Sequence, residues 1–207
     1  MTFWEHVEVD ASAAPDYVAD ARYAAELHAA LVECSEPLPF LAPLTHTIAT
    51  CLEALAQAPE LIAAADLERA SAEWQRLAPV VSSAQAFARA FPGVSIQVIH
   101  GDAPAYNLIR TRNGPLFADF EDATLGPVEW DLAGFGPDAA AHYDAAAARL
   151  GLRPLDPAAL RVMDAARSLQ GVASLALTPD LPALPEWLAP WLEKWRASPF
   201  AGGLPER

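Results

Sequence analysis

Lysine is almost missing from this chain. Lys194 is the single lysine among 207 residues, and Lys and Arg together number 13 against 27 Asp and Glu, which gives a net charge of −14. A chain this acidic is a poor partner for nucleic acid or for an anionic membrane surface. A cationic substrate is compatible with the charge, although many proteins are acidic simply because net charge keeps them in solution.

Cysteines and long apolar runs are also scarce. Cys34 and Cys51 show no metal-ligand spacing and fall in helical patterns, which predicts reduced, packed thiols. Proline or a charged residue interrupts every apolar run before it reaches the length of a membrane span. The acidic start of the chain has neither the basic nor the apolar part of a signal peptide. We therefore predict a cytoplasmic protein that does not contact a membrane.

The composition predicts a globular domain, residues 1–207, that is mostly helical. Hydrophobic residues make up 53% of the chain and charged residues 19%, which excludes a disordered chain. Apolar residues recur at helical spacing through most of the sequence. A proline or a capping residue marks the predicted helix starts at Pro15, Asp66, Pro137 and Asp156, and a further helix is predicted from about Leu44. Pro79 is expected to interrupt or kink the third helix, and Pro190 to restart the last one.

Three tryptophans lie at successive four-residue steps near the end of the chain. Trp187, Trp191 and Trp195 form a stripe along the last predicted helix. Such a stripe could form an aromatic wall for a cationic substrate. Core packing is the more common role of a stripe with this spacing, and we favour it here.

The segment from Ser95 to Ala133 carries the chemistry of the chain. It reads SIQVIHGDAPAYNLIRTRNGPLFADFEDATLGPVEWDLA. Its start is a short β-branched run typical of a strand, and two further strands are predicted from Leu108 and over residues 116–120. Between these two lies Asn113-Gly114, a pair that accepts the positive φ angles of a tight hairpin turn. The segment therefore predicts a strand, a loop and a hairpin.

The spacing within this segment is that of a base and two metal ligands. Asp102 follows the first strand, Asn107 comes five residues later, and Asp119 ends the hairpin. Kinase-type phosphotransferases use this layout for a catalytic aspartate and for the Asn and Asp that hold Mg²⁺. Amide and carboxylate oxygens are hard ligands that suit Mg²⁺.

HGDAPAYN followed by DFEDATLGPVEWDLA resembles the aminoglycoside phosphotransferase and choline kinase-like family. The resemblance implies an α+β, mostly α fold: a protein-kinase-like C-terminal lobe with a short β-hairpin region. It implies Asp102 as catalytic base, Asn107 and Asp119 as Mg²⁺ ligands, and Asp131 as a brace of the catalytic loop. It also implies ATP as phosphoryl donor, and a strand over residues 1–10 whose Phe3, Trp4 and Glu5 form the hinge beside the nucleotide.

Other residues near the motif receive weaker assignments. His100 is expected to pack and hydrogen-bond beneath the loop. Glu121 lies two residues from Asp119, so in an extended segment both would face the same side. Glu121 is thus a candidate further metal ligand, equally open to being merely exposed. Tyr106 is equally open to substrate contact and to packing within the loop, and Asp122 is left unassigned.

Two parts of a complete enzyme of this type are missing from the chain as given. No Gly-x-Gly-x-x-Gly occurs, and Lys194 lies in the last helix, whereas such enzymes carry a loop over the phosphates and a strand lysine in a small β-rich lobe. We therefore expect the chain to start at the lobe boundary, with the small lobe absent, and to bind Mg·ATP weakly when alone. It would then be a mis-started sequence, one partner of a two-chain enzyme, or an inactive remnant.

The sequence thus predicts an ATP-dependent transferase acting on a small-molecule hydroxyl. The acceptor is left open among aminoglycosides, choline-like amines, sugars and macrolides, as are the oligomeric state and the use of GTP in place of ATP. The main alternative is a catalytically inactive kinase-like binding or regulatory protein. A metal-dependent hydrolase built on His100 and Asp102 is less favoured, because no histidine-rich ligand set accompanies them.

Overall fold

The computed structural model describes residues 6–10, 14–42 and 44–204, apart from the side chain of His46. The predicted hinge residues Phe3, Trp4 and Glu5 lie outside this range. At the end of the same predicted strand, Val9 forms an isolated antiparallel bridge with Thr111, and the Asp10 N–H donates to the Arg110 carbonyl at 2.8 Å. This short stretch therefore lies beside the hairpin.

Within the described ranges, four α-helices precede the motif. They are α1 (Tyr17–Leu31), α2 (Leu44–Ala56), α3 (Ala64–Val81) and α4 (Ala84–Ala90). Asp16 caps α1 through the Ala19 N–H, and Ser83 caps α4 through the Ala86 N–H. The predicted apolar stripe of α2 is buried, with Ile48, Cys51, Leu52 and Leu55 in the core. Helical spacing thus identified these segments correctly.

Three predicted helix boundaries are wrong in detail. Pro15 precedes the α1 cap, so it lies outside the first turn. Asp66 lies in the first turn of α3, whose cap position is Ala63. Pro190 lies inside α8 (Leu184–Ala197), which continues through it. A proline removes one backbone donor, and the packing of α8 against the rest of the fold outweighs that local cost.

The strands form two small antiparallel pairs. β2 (Leu108–Thr111) and β3 (Gly114–Phe117) make the predicted hairpin, with Leu108 opposite Phe117 and Thr111 opposite Gly114. The two-residue turn is therefore Arg112-Asn113, not Asn113-Gly114, and Gly114 supplies a positive φ of 114° as the first residue of β3. β1 (Gln97–Ile99) pairs with β4 (Thr124–Gly126), a strand that the sequence did not predict.

The third predicted strand ends earlier than expected. β3 stops at Phe117, and Phe120–Asp122 forms a 3₁₀ turn. Asp119 precedes this turn in the left-handed conformation, with φ 64° and ψ 53°. The expectation that Asp119 and Glu121 lie on one face of an extended segment is therefore wrong, because the chain turns sharply between them.

In the part of the chain that the structure describes, α5 (Glu129–Leu132) ends the motif, and α6 (Pro137–Arg149), α7 (Pro157–Ala173) and α8 follow it. Asp156 caps α7 by accepting from the Ala158 and Ala159 N–H groups, as predicted. Helix α6 packs along α1, and α7 lies at the centre of the helical layer, against α2, α3, α5 and α8. The described residues thus form a mostly helical α+β fold with its strands along one edge.

The tryptophan stripe has a mixed role. Trp195 is buried, and its Nε1 donates to Glu73 Oε2 on α3 at 2.7 Å. Trp191 is partly buried, and its Nε1 donates to the Ser168 carbonyl at 3.2 Å. Trp187 is 69% exposed. Core packing is therefore confirmed at Trp195 and wrong at Trp187, because the stripe turns gradually from α3 towards solvent.

Two further expectations concern the burial of the cysteines and the length and polarity of the helices. Cys51 is buried in α2, and burial raises the pKa of its thiol. Cys34 follows α1 and is exposed, so the prediction that it packs within a helix is wrong. In the described parts of the chain, every helix is too short or too polar to cross a membrane.

Candidate active site

The predicted base lies on the loop that follows β1. This aspartate loop, residues 101–107, ends where β2 begins. The Asp102 side chain is 49% exposed, so its carboxylate is open to a ligand. Asn107 closes the loop, since its Nδ2 donates to the Asp102 carbonyl at 2.7 Å and lies 3.4 Å from Asp102 Oδ2. The five-residue spacing read from the sequence thus produces a direct contact.

His100 joins the aspartate loop to the hairpin. Its ring is buried, and its Nε2 lies 2.8 Å from the Ala118 carbonyl. Its Nδ1 accepts from the Asp102 N–H at 3.4 Å, so Nε2 carries the proton and donates to Ala118. Because Ala118 directly precedes Asp119, the His100 ring fixes the start of the loop relative to the end of the hairpin.

Asp131 binds the start of the same loop from α5. Its carboxylate is buried and accepts from the His100 N–H at 2.9 Å and the Gly101 N–H at 2.8 Å. His28 of α1 donates its Nε2 proton to Asp131 Oδ2 at 3.0 Å, and its Nδ1 lies 3.0 Å from the Tyr143 hydroxyl. His28 is therefore a buried packing residue with polar partners.

Asp119 and Asp122 lie close to Asp102. Burial raises the pKa of Asp122, the negative charges of Asp102 and Asp119 raise it further, and the charge of Arg167 lowers it. Asp119 and Glu121 are exposed, whereas Asp122 is partly buried. The fold thus brings three carboxylates to the mouth of the aspartate loop, with Glu121 on the exposed side of the 3₁₀ turn.

The available metal donors are an amide and a carboxylate. The Ala118 N–H donates to the Asn107 carbonyl at 3.0 Å, which places Asn107 beside the residue before Asp119. Because the Asn107 amide nitrogen is engaged with Asp102, its Oδ1 is the free atom. Within the described ranges, no three His, Cys, Asp or Glu side chains form a metal-binding group. The donor set suits a Mg²⁺ ion that takes its other oxygens from phosphates and water.

Two residues of this region hold strained backbone conformations. Ala103 has φ 39° and Asp119 has φ 64°. Positive φ is uncommon outside glycine, although aspartate tolerates it better than alanine. Such conformations persist where the surroundings over-determine them, and they are frequent at functional sites. Here they lie directly after Asp102 and at the end of the hairpin.

Arg167 is a neighbour of Asp102 that sequence reasoning did not identify as part of the site. It projects from α7, with its guanidinium 3.8 Å above the centroid of the Trp130 ring and NH1 3.8 Å from Asp102 Oδ1. One signal was available, since Arg167 occupies a position on the apolar stripe of α7 between Met163 and Gln170. A charged residue at a core-facing position is unusual unless it is paired.

Aromatic side chains and a cavity flank the site. Tyr106, 60% exposed, stacks on Phe135 with ring centroids 4.8 Å apart and meets Tyr17 edge-on at 4.6 Å. A cavity of about 370 Å³ lies between the start of α1 and the hairpin, where Asp20 pairs with Arg110. The aromatic cluster thus includes a residue of the aspartate loop, whereas the cavity is lined by residues of α1 and the hairpin.

These features fit one class of protein. A family model for phosphotransferase enzymes matches residues 1–164 of the 207, a span that contains the aspartate loop, the hairpin and α5. The chain is a phosphotransferase of the kinase-like type. It belongs to the phosphotransferase enzyme family (APH), which confirms the resemblance carried by its HGD and DFED motifs. A search among curated proteins finds no significant match.

Proposed function

We propose that this chain is the large lobe of a kinase-like phosphotransferase that transfers the γ-phosphoryl group of ATP to a small-molecule hydroxyl. One observation carries the proposal: a half-exposed Asp102 is bound by Asn107 within one loop, next to the hairpin that ends in Asp119. A base and two metal ligands in this arrangement are the parts that phosphoryl transfer needs from a large lobe.

In the proposed mechanism Asp102 orients the acceptor hydroxyl and takes its proton. Asp102 can do so because Asp131, His100 and Asn107 fix the loop while leaving the carboxylate open. Asn107 and Asp119 would hold Mg²⁺, which when bound neutralises charge on the phosphates. Glu121 is a further candidate ligand only if the 3₁₀ turn rearranges. Positioning and charge neutralisation dominate catalysis of this kind, because the transferred group needs little covalent help.

The two substrates would approach from different sides. The nucleotide fits the side of the hairpin, where the cavity lined by Leu108, Arg110 and Thr111 lies. The acceptor fits the aromatic side, where Tyr106 exposes its ring four residues after Asp102. A hydroxyl acceptor that also carries a cationic amine is suitable, since an aromatic face attracts cations and the chain carries a net charge of −14.

Phosphoryl transfer from Mg·ATP to a panel of hydroxyl acceptors tests the proposal. The panel comprises amino alcohols, aminoglycosides, neutral sugars and macrolides, and phosphorylated products are detected by mass spectrometry. Asp102→Asn should reduce turnover by about 100-fold or more while the variant still folds. Asp119→Ala should abolish Mg²⁺-dependent nucleotide binding in calorimetry. Asp138→Asn, an exposed change on α6, is the control. Full activity in Asp102→Asn would contradict the assignment.

A second candidate is a kinase-like binding protein without turnover. Its support is the position of Lys194. This residue lies on α8, in a cavity with Gly134 and Asp164. It is therefore on a different element from the aspartate loop and the hairpin. A phosphate-pairing lysine is thus not supplied by these residues. Tight binding of an amino alcohol or aminoglycoside with no turnover of Mg·ATP would favour this candidate over the first.

A further inference from the structure

Arg167 is a cation held inside the fold next to the predicted base. Its side chain is only 12% exposed, on the core-facing side of α7. Burial lowers the pKa of Arg167, and the charges of Asp131, Asp102 and Asp122 raise it. Arginine remains protonated in proteins, so α7 places a full positive charge beneath the aspartate loop.

The guanidinium is fixed in a single plane. It stacks over the Trp130 ring, and its NH2 donates to the Gly101 carbonyl at 3.3 Å and the Trp130 carbonyl at 3.4 Å. NH1 donates to Gln170 Oε1 at 3.0 Å. Trp130 Nε1 donates to the same Gly101 carbonyl at 2.7 Å. Arg167 and Trp130 therefore hold the carbonyl of the residue just before Asp102.

The hydrogen bonds alone do not account for this arginine. Its Nε is buried and has no hydrogen-bond partner among the described residues, which costs stability. Its ion-pair partner is Asp102, with NH1 3.8 Å from Oδ1. That distance is beyond hydrogen-bonding range, so the contact is one of charge. It leaves the lone pairs of Oδ1 free for a ligand.

We propose that Arg167 is a positioning residue that orients the Asp102 carboxylate through its charge and offsets the repulsion from Asp119 and Asp122. The proposal rests on the function proposed above, in which Asp102 takes the acceptor proton. Arg167 would act through Asp102 and through the Gly101 carbonyl. Loss of its charge should therefore slow the chemical step without weakening nucleotide binding.

A double-mutant cycle tests the charge contact without any activity. The full chain is unfolded by urea as wild type, Arg167→Met, Asp102→Asn and the double variant. If Arg167 acts on the Asp102 charge, Arg167→Met should lower the midpoint more in the wild-type background than in the Asp102→Asn background. Equal losses in the two backgrounds would show that Arg167 only packs against Trp130, and would overturn the proposal. Arg161→Met, an exposed change on the same helix, should give equal shifts in both backgrounds.

Kinetics provide the second test. Using the best acceptor from the panel, Arg167→Met should lower kcat by about 100-fold, the cost of a misplaced catalytic group, with the KM for ATP nearly unchanged. Arg167→Lys keeps the charge and should recover part of the loss, and it replaces the Met variant if that variant does not fold. An unchanged kcat would overturn the proposal. If wild type shows no turnover, the proposed function fails, and the unfolding cycle still decides whether Arg167 acts on Asp102.

Discussion

At the scale of single residues, Gly101 is the glycine with the least room for a side chain. It has φ 88°, and a Cβ added there would lie 2.0 Å from the Asp122 carbonyl oxygen. The close approach joins the first residue of the aspartate loop to the segment that carries Asp119 and Asp122. Glycine is therefore required here for two independent reasons, the backbone angle and the contact.

Gly101→Ala should destabilise the fold by more than about 2 kcal/mol, because the strain of a positive φ is added to a backbone clash. Urea unfolding measures the loss. Gly114→Ala is the matched control, since Gly114 has φ 114° and open space around it, and it should cost only about 1 kcal/mol. Equal losses in the two variants would show that the contact with Asp122 relaxes freely.

Asp164 gives a pH dependence with a definite sign. Burial raises the pKa of Asp164, while the Gly134 N–H, which donates at 2.8 Å, and the charge of Lys194 lower it. The net shift is upward, so the ionised carboxylate is disfavoured in the folded state. Stability that is fully present below the unfolded pKa is therefore lost as pH rises through the folded pKa.

Asp164→Asn should stabilise the protein at pH 7 by up to about 1 kcal/mol, because the amide oxygen still accepts from Gly134 and the ionised group is gone. The gain should vanish near pH 3, where aspartates are mostly protonated. Thermal unfolding at both pH values checks this. Asp180→Asn, an exposed change, should show no such difference, and a gain that is independent of pH would contradict the burial argument.

At the scale of elements, α5 depends on one ion pair, in which Glu129 is fully buried and the Arg153 side chain is 26% exposed. Glu129 accepts from Arg153 through both oxygens, at 2.6 and 2.9 Å, and from the Asp156 N–H at 2.7 Å. Burial would lower the pKa of Arg153, but the hydrogen bonds and charge of Glu129 raise it. The pair thus ties α5, which carries Asp131, to the start of α7.

Glu129→Gln should destabilise the fold by about 2 kcal/mol, since it removes the buried partner of the pair and leaves the partly exposed Arg153 charge unmatched. The pair between Asp66 and Arg196 offers the comparison, because the Arg196 side chain is 48% exposed. Asp66→Asn should cost less than about 1 kcal/mol. Similar losses in urea unfolding would mean that α5 does not depend on this pair.

Local patterns predicted the helices and the hairpin, but not the partners of the strands. A proline predicted the start of α6 and a capping aspartate that of α7, because such signals lie within a few residues of the helix start. β4 was missed because its three residues have no alternation and pair with β1, more than twenty residues earlier. The 3₁₀ turn after Asp119 depends on contacts with the aspartate loop, which no local pattern encodes.

The residues of the candidate site likewise divide into those that local spacing predicted and those that only tertiary packing brings in. Asp102, Asn107 and Asp119 were found by their spacing, and the structure brings them to one edge. Arg167 and Asp122 join them through tertiary packing, since α7 lies far along the sequence from the loop. A charge on the apolar stripe of α7 was the only local sign of Arg167, and it indicates burial without naming a partner.

At the scale of the whole molecule, buried polar contacts join the outer helices to the centre. His28 and Tyr143 connect α1 and α6 to Asp131. Glu73 on α3 accepts from Arg69 at 3.1 Å and from Trp195 at 2.7 Å, which fixes α8. The apolar core between these contacts extends from α1 to the end of the chain's described residues. The site therefore rests on a framework to which every long helix contributes.

The two hydrogen bonds from backbone N–H groups to Asp131 have a consequence for hydrogen exchange. The amide hydrogens of His100 and Gly101 are bound by a carboxylate that is 1% exposed, so exchange there requires α5 to leave the loop. We expect their deuterium uptake to be as slow as that of the core helices, whereas the amide of the partly buried Ala103 should exchange faster. Asp131→Asn should accelerate uptake at His100 and Gly101, as followed by NMR. Asp102 would then directly follow a segment that exchanges as slowly as the core, and equal uptake at Gly101 and Ala103 would refute this.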